Sequence, residues 1–299
     1  MSNKNRIIWD KKKFIIFMVG AFVIGWAFQV IGSILALQGN MAGFTVLLTL
    51  AMYAPFLATL IAKIPLKGMG WKPKFKGKLR FWLAVWFLPG VFTILGGLLY
   101  YVIFPSRLDL TGQYIILQAG EVAIQQLEAQ GITIPMYLVI MAIQVFTYAP
   151  LINMFAALGE EVGWRGAMQP MLNEQFGKKK GRIIGGVIWG AWHWPVMVIA
   201  GYEYGLEYWG APFLGMVLFC LITTVMCILL DAAYEKTNCI WVPSLGHGAI
   251  NAAAALPVMV LNVDYANQMI VGPTLVGIIS VLPALVFAMI VLMKDKDER

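Results

Sequence analysis

One pattern limits what this chain can fold into: along its 299 residues, long and almost wholly apolar stretches recur again and again. A helix needs about 20 such residues to cross a hydrocarbon core about 30 Å thick. In lipid no water is present to satisfy the backbone, so each stretch reads as a helix rather than a loop. Scanning places eight spans at roughly 14–37, 42–64, 81–104, 136–158, 182–201, 211–230, 244–262 and 272–293. The first follows Lys11-Lys12-Lys13 and is too long for a signal-peptide core, so it reads as a retained anchor. The expected fold class is all-α: a polytopic membrane bundle of about eight transmembrane helices.

Composition agrees, with 60% hydrophobic residues, 12% charged and a mean hydropathy of +0.77. Soluble domains run at about 45–50% apolar and about 25% charged, so a soluble enzyme, a disordered chain and a secreted disulfide scaffold are excluded. The net charge of +7 does not point to nucleic acid, because the basic residues sit in short patches between apolar runs. With eight spans and the N-terminus inside, Arg107 is the one basic residue of 22 to fall outside, while Asp109, Glu121, Glu128, Glu203, Glu207 and Asp264 lie in the outer loops. Both termini are therefore expected in the cytoplasm of a cell-membrane, multi-pass protein. Cys220, Cys227 and Cys239 are odd in number and lack CxxC spacing, which indicates neither a disulfide framework nor a zinc knuckle.

An ionised side chain at the centre of a membrane helix costs about 2.5–3.5 kcal/mol on insertion scales. Polar residues inside the apolar runs are thus the candidates for chemistry, and they form three clusters. In Glu160-Glu161-Val162-Gly163-Trp164-Arg165, Glu161 and Arg165 have the spacing and order of a same-face ion pair. Glu160 points about 100° away and is free to face another helix. The second cluster is His193 within Trp189-Gly190-Ala191-Trp192-His193-Trp194-Pro195, where Pro195 should kink the helix beside the imidazole. The third is His247 with Asn251, on one helical face. Taken singly, these could be a charged helix end and interhelical hydrogen bonds. Together, a carboxylate, both histidines of the chain and a carboxamide are a kit for activating water and stabilising an oxyanion.

At these residues the sequence resembles the CPBP family, the CAAX-protease and bacteriocin-processing (Abi) intramembrane proteases. Their pattern of EExxxR, FxxxH and HxxxN falls here on Glu160-Glu161 with Arg165, on Trp189 with His193, and on His247 with Asn251. Trp189 stands where Phe is usual and reads as a conservative change in an aromatic wall. The resemblance divides one membrane domain into an N-terminal part (1–135), a catalytic core (136–262) and a last helix with a charged tail (263–299). It implies an intramembrane endopeptidase similar to type II CAAX prenyl endopeptidase, with Glu160 activating water and His193 holding it. His247 and Asn251 would bind the oxyanion, and Arg165 would orient Glu161. A zinc ion, if used, would take Glu160, His193 and His247; there is no HExxH, and Asn251 and Arg165 suit an oxyanion pocket better than a metal shell.

The expected partners are the lipid bilayer and a membrane-associated peptide or protein, cut near the cytoplasmic side in a processing or self-immunity role. The main alternative is a non-catalytic membrane scaffold that binds a partner through the same polar groove. A proton-coupled transporter is a third reading, weakened by the lack of repeat symmetry.

Overall fold

A computed structural model describes residues 7–295. The extreme chain ends, on which the expected cytoplasmic termini and the end of the charged tail fall, lie outside the described residues. Within them the chain is helical, with no named strand and one isolated antiparallel bridge, Leu108 to Leu261.

The helices run α1 (Lys11–Leu37), α2 (Met41–Ala51), α3 (Ala54–Ile61), α4 (Leu79–Ile103), α5 (Gln113–Ala119), α6 (Glu121–Ala129), α7 (Ile134–Phe146) and α8 (Ala149–Glu161). A π-helical turn, Val162–Met168, leads into α9 (Gln169–Phe176). Then follow α10 (Lys178–Trp192), α11 (Trp194–Ala200), α12 (Phe213–Thr237), α13 (Trp241–Ala253) and α14 (Leu282–Lys294).

Five segments among the described residues are long and apolar enough to cross a membrane: Lys11–Leu37, Met41–Ile61, Leu79–Ile103, Lys178–Ala200 and Phe213–Thr237. A sixth is reached if α6 and α7, bent by 94°, count as one. Five expected spans thus appear close to where the apolar runs put them. The others are assembled from shorter pieces, and proline explains each break. The 136–158 run is split at Thr147-Tyr148, where Pro150 opens α8. The 244–262 run ends at Ala253, shortly before Pro257 opens a 3-10 turn. The 272–293 run becomes helical only at Leu282, with Pro283 in the first turn. Proline lacks the N–H a helix interior needs, and it disfavours helical geometry in the residue before it.

The helix α12 is the central one: 61% of its most apolar window is buried, against 22% for α1. Two close approaches, one to α12 and one between α13 and α8, tighten the bundle. A Cβ on Gly186 of α10 would lie 2.3 Å from the Thr224 Cα of α12, and one on Gly248 of α13 would lie 2.6 Å from Met154 N of α8. Small residues at such crossings let membrane helices pack backbone to backbone. The outward faces stay apolar, as Val23 and Val102 show with 63% and 78% exposure. In this way α8, α10 and α13, the three helices bearing the polar motifs, are packed around one interior.

Candidate active site

Glu160 and Glu161 close α8, just before the π-helical turn. Although adjacent, they have different surroundings. Glu161 is fully buried and accepts at Oε1 from Arg165 Nη1 at 3.0 Å. His247 Nδ1 lies 2.8 Å from the same oxygen. The guanidinium also stacks over the Trp189 ring, with Cζ 4.2 Å from the centroid. This is the same-face pair expected from the spacing, and the π-helical turn does not break it.

Glu160, 2% exposed, has no cation beside it among its hydrogen-bond partners. Its Oε2 accepts two indole N–H bonds, from Trp164 at 3.0 Å and from Trp189 at 2.6 Å. The sequence treats Trp189 as wall; the structure makes it a donor. The signal was present in the residue itself, because an indole in a membrane interior needs an acceptor and Phe does not.

His193 sits in the break between α10 and α11, as Pro195 requires. The break frees the Trp192 carbonyl, which accepts from Trp26 Nε1 at 3.0 Å and Gln29 Nε2 at 2.9 Å of α1. Trp192 answers with its own indole to Ala21 O at 2.9 Å. The first helix, outside the three motifs, therefore fixes the imidazole's backbone. His193 Nδ1 donates to Trp189 O at 2.9 Å; a carbonyl can only accept, so the ring is left with a bare Nε2. Its faces meet Tyr202, Phe219 and Trp192.

Glu160, His193, His247 and Asn251 line one cavity of about 240 Å³. Glu161 and Arg165 are not on its wall; they stand behind it and act on it through His247 and Trp189. The cavity continues past Thr45 and Thr49 of α2 to Tyr202, Glu203 and Thr274. The Trp9 amide at the start of α1 bonds to Glu174, next to Lys178, so α2, which follows α1, begins at the far end of the bundle. The cavity thus extends away from the lysine-rich end. Glu203, in the loop after α11, is half-buried, and that burial pushes its carboxyl above the ordinary range against a lowering hydrogen bond from Tyr202.

Among the described residues, no three His, Cys, Asp or Glu side chains are grouped to hold a metal ion. The set Glu160, His193 and His247 shares a cavity without forming such a cluster, and one Glu160 oxygen is already taken by indoles. A second buried ionic group went unread in the sequence. Arg182, fully buried, bonds through Nε to Asp231 at 2.6 Å and through Nη2 to Glu235 at 2.9 Å, and it also pairs with Asp295. Both Arg182 and Asp231 border apolar runs, which was the available clue.

No curated protein matches the chain. The family described as type II CAAX prenyl endopeptidase Rce1-like matches residues 141–253. The matched stretch runs from α7 through α13 and holds all six candidate residues. Residues 141–253 are thus similar to the type II CAAX prenyl endopeptidase Rce1-like family, in agreement with the motifs on which the sequence resembles the CAAX proteases.

Proposed function

We propose that the chain is an intramembrane endopeptidase in which Glu160 activates a water molecule against a peptide bond of a membrane-associated protein or peptide. The observation that carries this reading is the contrast between neighbours: Glu161 is tied to Arg165 and His247, whereas Glu160 is held only by neutral donors and lines the cavity. A carboxylate so placed lies at the cavity wall, as a general base must, with no ion pair holding it among the described residues.

In the proposed reaction, Oε1 of Glu160 accepts a proton from water and His193 Nε2 accepts a hydrogen bond from the same water. The oxygen attacks the carbonyl carbon and the carbonyl π pair moves to oxygen. Asn251 Nδ2 donates to that oxyanion, and His247 does so through Nε2–H when its ring is protonated, with Glu161 as counter-ion. The intermediate collapses, the C–N bond breaks, and Glu160 returns its proton to the leaving amine. No step is assigned to a metal.

The proposed arrangement spans the membrane eight times, with both termini in the cytoplasm and residues 136–262 as the catalytic core. The cut itself is proposed near the cytoplasmic side. The test is Glu160→Gln, expressed beside wild type in a strain lacking the gene, with membrane and released peptides compared by mass spectrometry. Peptide termini unique to wild type are expected, with turnover in the variant lower by about 10²–10⁴. Identical peptide profiles at equal expression, with the variant still rescuing the deletion, would leave the scaffold reading standing instead.

A further inference from the structure

We propose that Trp189 is a positioning residue for Glu160: with Trp164 it holds Oε2 by two indole N–H bonds and so fixes Oε1 towards the cavity. The inference deepens the reading of Glu160 as the base and rests on it.

The terminal torsion of a glutamate is broad and roughly two-fold, so packing alone does not choose which oxygen faces a cavity. Two donors on one oxygen do. They come from different segments, the π-helical turn and α10, and both end at Glu160 Oε2. The Trp189 bond, at 2.6 Å, is the shorter. An indole donates only; it can neither take the proton nor compete for water. Being neutral, it orients the carboxylate without matching its charge as Arg165 does for Glu161.

Trp189 is 3% exposed, and its ring packs against the Arg165 guanidinium and, at 5.1 Å in a T-shaped arrangement, against the His247 ring. It therefore joins Glu160 to the Glu161–Arg165–His247 group in one body. Phe, the residue the family pattern places here, would keep the ring contacts and lose the donor. Trp189→Phe therefore removes the donor while keeping an aromatic ring beside Arg165 and His247.

The first measurement needs no substrate. Ultraviolet resonance Raman spectra of purified wild type and W189F give a difference spectrum in the ring modes that report indole N–H bonding. The same difference is then taken between E160A and W189F/E160A. A strongly bonded indole is expected in the first pair, moving to the free position in the second. A Trp189 signature that Glu160→Ala leaves in place overturns the proposal. The second measurement uses a peptide found cleaved by wild type. W189F is expected to lose about tenfold in kcat, as outer-shell substitutions do, with KM unchanged. An unchanged kcat also overturns it. If W189F does not fold, Trp164→Phe removes the companion donor and carries both measurements. Were wild type to cut nothing, the protease reading would fail by itself, while the Raman pair would still decide whether the indoles hold Glu160.

Discussion

Arg165→Met is the most informative stability test, because the pair it breaks is almost sealed from solvent. Arg165 and Glu161 are 1% and 0% exposed. Their contact is a single bond of 3.0 Å, and Nε and Nη2 of the arginine, like Oε2 of the glutamate, have no partner. Removing one member of a buried pair costs about 3–5 kcal/mol, since the other charge is left uncompensated. Here His247 still touches Glu161 Oε1 at 2.8 Å, which favours the low end, about 3 kcal/mol. At about 2–4 °C per kcal/mol, the melting temperature should fall by roughly 6–12 °C. The three buried free cysteines, Cys220, Cys227 and Cys239, make the assay: a thiol-reactive dye labels them only as the bundle opens. In Glu161→Gln/Arg165→Met both charges leave together, and the double variant should melt above the single one. If R165M melts with wild type, or the double variant melts lower still, Arg165 is not compensating a buried carboxylate and the argument is wrong.

Two further outcomes follow from the same geometry. A Cβ on Gly163 would lie 2.3 Å from Pro55 Cβ and 2.7 Å from the Pro55 backbone, so Gly163→Ala should destabilise by about 1–3 kcal/mol through forced separation of α3 from the π-helical turn, read by the same dye. Burial pushes the Asp109 carboxyl up, but bonds from the Thr111 hydroxyl, the Thr111 amide and the Gln113 amide outweigh it and hold the group below its ordinary value. A lowered folded value means that the contribution is present above the unfolded-state pKa and is lost as pH falls through the folded one. Hydrogen exchange at Thr111 and Gln113 should therefore quicken in acid relative to the neighbouring amides, and Asp109→Asn should abolish that dependence; equal acid response in the variant would refute it.

The helical class, five of the spans and the grouping of Glu160, His193, His247 and Asn251 were legible in the sequence, because hydropathy and four-residue spacing act locally. The segments that escaped it are those where proline overrides hydropathy: Pro150, Pro257 and Pro283 cut three apolar runs into shorter helices. Trp189 escaped because aromatic type predicts a wall, whereas hydrogen bonding depends on what another helix presents. The clamp of α1 on Trp192 was invisible for the same reason: its donors, Trp26 and Gln29, lie more than 160 positions from the carbonyl they bind. The ion pairs of Arg182 escaped as well, since its acceptors, Asp231, Glu235 and Asp295, are likewise distant in sequence.

The two adjacent carboxylates place side by side, at one helix end, a rigid frame and the carboxylate proposed to react. A helix separates neighbouring side chains by about 100°, so Glu160 and Glu161 leave α8 towards different partners. Glu161 meets a cation and an imidazole, and its charge is spent on holding α8, the π-helical turn and α13 together. Glu160 meets two indoles, which satisfy one oxygen without bringing a positive charge. Had both met cations, the site would be stable and inert; had neither, two buried charges would have opposed the fold. Trp189 touches both halves, bonding to Glu160 and stacking under Arg165. The position that hydropathy reads as plain wall is therefore where the structural pair and Glu160, the proposed base, are joined.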